Sequence, residues 1–140
     1  MAVHLEFVVT GPPVSNQQSN PNGRANLATW RATVAGAAKV QWAKQLLTME
    51  LKPVIVNFYA GNKPSVDLDN MSKPILDVMQ NIVFQDDRQV VQMELTHVRI
   101  DAPFSIVGVR PSIVSALQAG NQFVYVRIED AVAPFPLPVG

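Results

Sequence analysis

The chain has 140 residues, with 11 basic and 11 acidic side chains and a formal net charge of zero. Its length suits one domain, and 48% hydrophobic against 16% charged residues describe globular rather than disordered material. The lack of cysteine removes disulfide frameworks, thiolate zinc sites and thiol nucleophiles. No apolar run reaches the roughly 18 residues of a membrane span, and the start MAVHLEFVVT lacks the pattern of a secretory signal, so a cytoplasmic protein off the membrane is expected.

Val3 to Val9 alternates, with Val3, Leu5, Phe7 and Val9 on one side, and predicts a strand. Gly11-Pro12-Pro13 stops it, and the polar stretch Val14 to Asn26 reads as a loop. Leu27, Trp30, Val34, Ala38, Trp42 and Leu46 step by three or four, which predicts a long amphipathic helix over Leu27 to Leu51, with Gly36 as its weak point and Pro53 as its stop. Val54 to Ala60 is β-rich. Val66 to Asn70 reads as short and extended, and a second helix is expected from Met71 to Ile82, where Pro74 is tolerable only near the helix start. Val83 to Arg88 is a connector, and Val90 to Ile100 alternates again. Pro111 opens a short helix through Ala119, ended by Gly120, and Phe123 to Asp130 is the last strand. The order predicts an α+β domain, a small mixed β-sheet with two main helices, over residues 1–130. Residues 131–140 form a Pro-rich tail, extended or loosely ordered.

The charges are unevenly placed. Residues 1–63 carry six basic and two acidic groups, residues 64–140 five basic and nine acidic, and five acids fall between Asp67 and Asp87. In an extended stretch, Asp67 and Asp69 stand on one face. Two such carboxylates resist ionising together unless a cation sits between them, and hard oxygen donors suit Mg²⁺ or Mn²⁺. Lys73 follows Asp69 by four residues, one helical turn. A helix of about twelve residues travels roughly 18 Å, and four or five extended residues return about 15 Å. Asp87 therefore nears Asp67 and Asp69 only if the connector folds straight back; otherwise a second subunit completes the site. Each acid also has an ordinary reading: Asp69 or Asn70 as a helix cap, Asp86-Asp87 as a turn.

Asp67-x-Asp69-Asn70-x-x-Lys73-Pro74-x-x-Asp77, followed by Asp86-Asp87 and an alternating strand, resembles the RusA family of Holliday junction resolvases. Ser15-Asn16 after the Pro-rich turn, with Arg24 downstream, is similar to that family's Pro-x-Ser-x-Asn loop. The resemblance implies a homodimer that cuts four-way DNA junctions with Mg²⁺ or Mn²⁺. It implies Asp67, Asp69 and Asp87 as catalytic metal ligands and Lys73 as the essential lysine, with Asp86 not separated from Asp87 by sequence. Arg24, Arg31, Lys39, Lys44 and Lys63, with Lys52, are the candidate phosphate contacts that offset the neutral total charge. The competing readings are a catalytically silent DNA-binding dimer of the same fold and an aspartyl phosphotransferase. The second needs Thr or Val where Met71 stands. His4 and His97 have no cysteine to join them in a zinc site, and Trp30 and Trp42 sit at core spacing.

Overall fold

The computed structural model describes residues 2–106, 108, 110–135 and 137–138. Strand β1 (Val3–Thr10) leads to helix α1 (Pro21–Gln41), strand β2 (Leu51–Tyr59) and helix α2 (Leu68–Met79). Strand β3 (Glu94–Arg99), helix α3 (Pro111–Ala119) and strand β4 (Phe123–Asp130) follow. The fold is α+β. Its mixed sheet has the order β1-β4-β2-β3, antiparallel except for the β2–β3 pair.

Strand parity divides the core into two faces. Leu5, Phe7, Val9, Ile55, Val124, Val126 and Ile128 face α1, which contributes Trp30, Val34 and Ala38, and α2, which contributes Met71, Ile75 and Met79. Phe58, Phe123 and Tyr125 turn to the opposite face, where Ile113 of α3 covers them. The rings of Phe58 and Phe123 stack there, 4.5 Å between centroids.

β4 and α3 have the expected bounds, and Gly120 caps α3 with φ 78°, a left-handed conformation that favours glycine. The first long helix does not run from Leu27 to Leu51. Asn20 caps it, its Oδ1 accepting from the N–H of Gly23 at 2.8 Å, and Pro21 supplies a first turn that needs no N–H. It ends at Gln41, where the buried indole of Trp42 donates to the carbonyl of Gln45 at 3.2 Å. Twenty-one residues make a helix about 31 Å long, close to the roughly 30 Å of a nine-residue strand. Continuing to Leu51 would overshoot the sheet. Pro53 lies inside β2 instead of stopping the helix; it precedes the first β2–β3 pair, Val54 with Glu94, where β2 has no ladder on that side.

The second helix starts and ends three residues earlier than expected. Pro74 consequently stands in its second turn, where it cannot donate to the carbonyl of Asn70. The backbone N–H of Asn16 takes that carbonyl, at 2.9 Å. The Asn16 side chain accepts from Nη2 of Arg31 at 3.1 Å, so one residue ties the loop after β1 to both α1 and α2. After α2, Asn81 adopts φ 70°, a left-handed residue that reverses the chain, and Val83 and Phe84 return into the core. β3 is shorter than Val90 to Ile100. Ahead of it the Gln92 side chain bonds the backbone N–H and carbonyl of Val132, at 2.7 and 3.3 Å, and so holds the start of the tail. Phe135 and Leu137 are exposed; Pro136, Val139 and Gly140 lie outside the described residues.

Two predictions test this packing. Gly36 is exposed in the interior of α1, and an added Cβ would meet nothing within 4 Å. Gly36→Ala should therefore stabilise the fold by about 1 kcal/mol in urea unfolding; an unchanged midpoint would contradict this placement. On the opposite sheet face, Glu6 Oε2 accepts from Arg110 Nε at 2.8 Å and from the Tyr125 hydroxyl at 2.7 Å. Burial pushes the Glu6 carboxyl up, but the bonds from Arg110 and Tyr125, with the charges of Arg110 and Arg127, bring it below its ordinary value. Burial and the bond to Glu6 push the Tyr125 phenol up to about 12. A depressed carboxyl contributes stability above its unfolded pKa of about 4.3, lost as pH falls through the folded value. Glu6→Gln should thus be destabilising at pH 7 and nearly neutral at about pH 3. An equal deficit at both pH values would show that ionisation is not what matters.

Candidate active site

Asp67 caps α2, its carbonyl accepting from the Met71 N–H at 2.8 Å. Asp67 occupies the cap position with φ −69° and ψ 155°, yet its carboxylate makes no capping bond. Asp69 lies in the first helical turn, where a negative charge suits the helix dipole. The two carboxylates are therefore not the side-by-side pair of an extended strand; one stands at the helix threshold and one within its first turn. Both are exposed, and neither has an ion-pair or hydrogen-bond partner among the described residues.

Lys73 follows one turn later. Its ammonium, 60% exposed, pairs with Asp77 Oδ1 at 3.5 Å rather than with Asp69. Asp77 in turn lies 3.8 Å from Arg31 Nη2, which also holds Asn16. The proline-directed loop contact and the charges on α2 thus share one network.

Asp86 and Asp87 follow the reversal at Asn81. Asp86 caps a short 3₁₀ turn, Asp87–Gln89, through a reciprocal capping box with Gln89. Its carboxylate also accepts from the Arg88 guanidinium, at 3.0 Å from Nη2. Side-chain and backbone bonds from Arg88 pull the Asp86 carboxyl down to about 2. Gln89 anchors the turn by donating to the carbonyls of Leu47 and Met49, at 2.8 and 3.0 Å. Sequence reasoning did not single out Gln89, although Asp86-x-x-Gln89 has the spacing of a capping box.

Asp69, Lys73, Asp77 and Asp87 line one cleft of about 330 Å³, floored by Ser72 and Leu76 and edged by Val90 and Met93. Asp86 and Asp67 are not among its lining residues. Among the described residues no three Asp, Glu or His side chains cluster closely enough to cage a metal ion. The donor chemistry nevertheless fits a hard divalent cation, which commonly takes one or two carboxylates and leaves its other positions to water and phosphate. Asp69 and Asp87 are two such donors facing one cleft, with an ammonium beside them.

The candidate phosphate contacts divide. Arg24 and Lys39 are exposed on α1, and Lys63 is exposed in the loop between β2 and α2. Lys44 lies 5.4 Å from the Trp42 ring centroid. Arg31 is engaged with Asn16 and Asp77. Lys52 is committed elsewhere: it pairs with Glu94 at 2.8 Å and Glu129 at 3.6 Å, and its bond to Glu94 raises its pKa. It shares strand parity with Val56 and Phe58, on the sheet face away from α2. His4 bonds Asp130 at 2.7 Å and His97 bonds Asn57 and Val66, both within the strand framework. Trp30 and Trp42 are core residues, 5% and 8% exposed. Among the described residues no helix is long and apolar enough to cross a membrane.

A search of curated proteins gives no significant match. The sequence model of the family described as endodeoxyribonuclease RusA matches residues 11–110, which takes in the loop of Asn16, all of α1 and α2, and the turn that carries Asp87. The chain belongs to the RusA endodeoxyribonuclease family.

Proposed function

We propose that this chain is a metal-dependent, structure-selective endonuclease that resolves four-way (Holliday) DNA junctions by paired phosphodiester hydrolysis, in recombination and repair. The observation that carries the reading is the joint placement of Asp69, Lys73 and Asp87 on one cleft in a chain of this family. Asp69 and Asp87, with Asp67 at the adjoining helix threshold, are the residues that would hold Mg²⁺ or Mn²⁺. A bound divalent ion would supply a polarised water and offset charge on the leaving oxygen.

The remaining work falls to the chain's own groups. The Lys73 ammonium stabilises the charge that builds on the phosphate. Asp77 positions that ammonium from one turn further along α2, and Arg31 restrains Asp77. Arg88 and Gln89 occupy Asp86, which leaves Asp87 as the acid of the pair that faces the cleft. Arg24, Lys39, Lys44 and Lys63 provide cations for the DNA backbone, and Arg31 adds its charge beside the cleft. Two symmetric nicks across a branched junction suit a two-fold homodimer, in which each subunit supplies one cleft.

Nicking of a mobile four-way junction tests this. Asp69→Asn should slow Mg²⁺-supported nicking by about 100-fold while junction binding in Ca²⁺ persists. Asp86→Asn should keep nicking within about threefold, because its carboxylate serves the 3₁₀ turn and an exposed ion pair contributes little. Equal nicking by wild type and Asp69→Asn would remove Asp69 from the chemistry.

A further inference from the structure

A second cavity, of about 530 Å³, is lined by residues just before Asp67, whereas the cleft is lined from Asp69 onward. The loop after β1 forms one wall with Pro12, Pro13, Ser15 and Gln18, and the segment leading into α2 forms another with Asn62, Ser65 and Val66. Asn26 of α1, Gln122 and the β2 residues Asn57 and Tyr59 complete it. All of its lining residues are uncharged, whereas the neighbouring cleft presents three carboxylates and an ammonium.

That composition selects the ligand. A phosphate would need cations, and a purely apolar group would leave five amide side chains without partners. Asn and Gln amides match the paired donors and acceptors on the edges of nucleobases, and a tyrosine ring offers a face on which a base can stack. Asn26, Asn62 and Gln122 make no side-chain hydrogen bond among the described residues, so their amides are available. On the floor, Asn57 is 1% exposed. His97 Nε2 faces the Val66 carbonyl at 3.2 Å, an acceptor only, so that nitrogen is the donor. Its Nδ1 then accepts from Asn57 Nδ2 at 3.1 Å, and this order leaves Asn57 Oδ1 without a partner. A buried unpartnered acceptor favours an incoming donor.

The position gives the cavity a task. Ser65 and Val66 lead directly into Asp67, and the Asn16–Asn70 bond fastens the opposite wall to the first turn of α2. Val66 of the cavity and Asp69 of the cleft are three residues apart, a span of at most about 10 Å, so a base adjoining a phosphate at Asp69 would lie near this cavity. We infer that the cavity takes an unstacked nucleobase next to the scissile phosphate and so sets which sequences at a junction are cut. This inference rests on the nuclease reading above and assigns its sequence-reading element.

The test compares wild type with Asn26→Ala/Asn62→Ala, two exposed positions whose side chains the fold does not use. One arm measures nicking of four-way junctions that differ only in the bases flanking the crossover. Wild type should favour its best sequence over its worst by about tenfold, and the double variant should compress that ratio to about twofold, as loss of amide–base contacts requires. The other arm steps 2-aminopurine through the same positions in Ca²⁺ without nicking. Its fluorescence should change on wild-type binding at one position, and that change should diminish in the variant. If the variant leaves both the ratio and the fluorescence as in wild type, the base site is overturned. If no junction is nicked but the fluorescence change and its loss are both seen, the nuclease reading fails and the base site stands.

Discussion

A carbonyl that a proline leaves unbonded organises this molecule. Pro74 has no N–H to give the Asn70 carbonyl, and the Asn16 N–H fills the gap from a loop more than fifty residues earlier in the chain. Without that contact the proline would only be a defect in α2. Here the defect becomes a docking point, because a buried or half-buried carbonyl without a donor costs about 1–3 kcal/mol. Asn16 also accepts from Arg31, Arg31 approaches Asp77, and Asp77 holds Lys73. A missing hydrogen bond in one helix thus links the loop after β1 to the ion pair beside the cleft.

The same economy of partners distinguishes the acids. Asp86 is satisfied by backbone N–H and guanidinium donors, and Asp77 by Lys73 and Arg31. Asp67 and Asp69 have no such partners among the described residues, and Asp87 meets only the Asp86 carboxyl and the charge of Arg88 beside it. Asp69 and Asp87 face one cleft without a donor, and a divalent cation can be shared by two such carboxylates. On the opposite face of the sheet the charges are mutually paired, with Lys52 between Glu94 and Glu129 and Arg110 on Glu6. Total charge is neutral, but unsatisfied negative charge gathers at one end of α2.

Much of this was readable from residues with strong local chemistry. Pro111 and Gly120 bracket α3 because a first-turn proline and a left-handed glycine are nearly self-sufficient signals. Asn20-Pro21 carried an equally local signal for the start of α1, but the surrounding Asn, Gln and Ser residues mask it as loop. The shift of α2 was not readable. Pro74 is compatible with a second-turn position only because Asn16 is there, and that contact is tertiary. The candidate acids and Lys73 were legible as a spacing. Their division into a cleft pair, a threshold residue and a capped neighbour depends on where the helix begins and on what Arg88 and Gln89 hold.

On the reading proposed above, Asp69 and Asp87 together receive a hard divalent ion. Paramagnetic broadening of backbone amide signals by sub-stoichiometric Mn²⁺, in the full chain without DNA, tests it most directly. The expected result is early broadening around Asp69, Lys73 and Asp87, abolished by Asp87→Asn. Broadening centred on Glu94 and Glu129 instead, or broadening around α2 that survives Asp87→Asn unchanged, would contradict it.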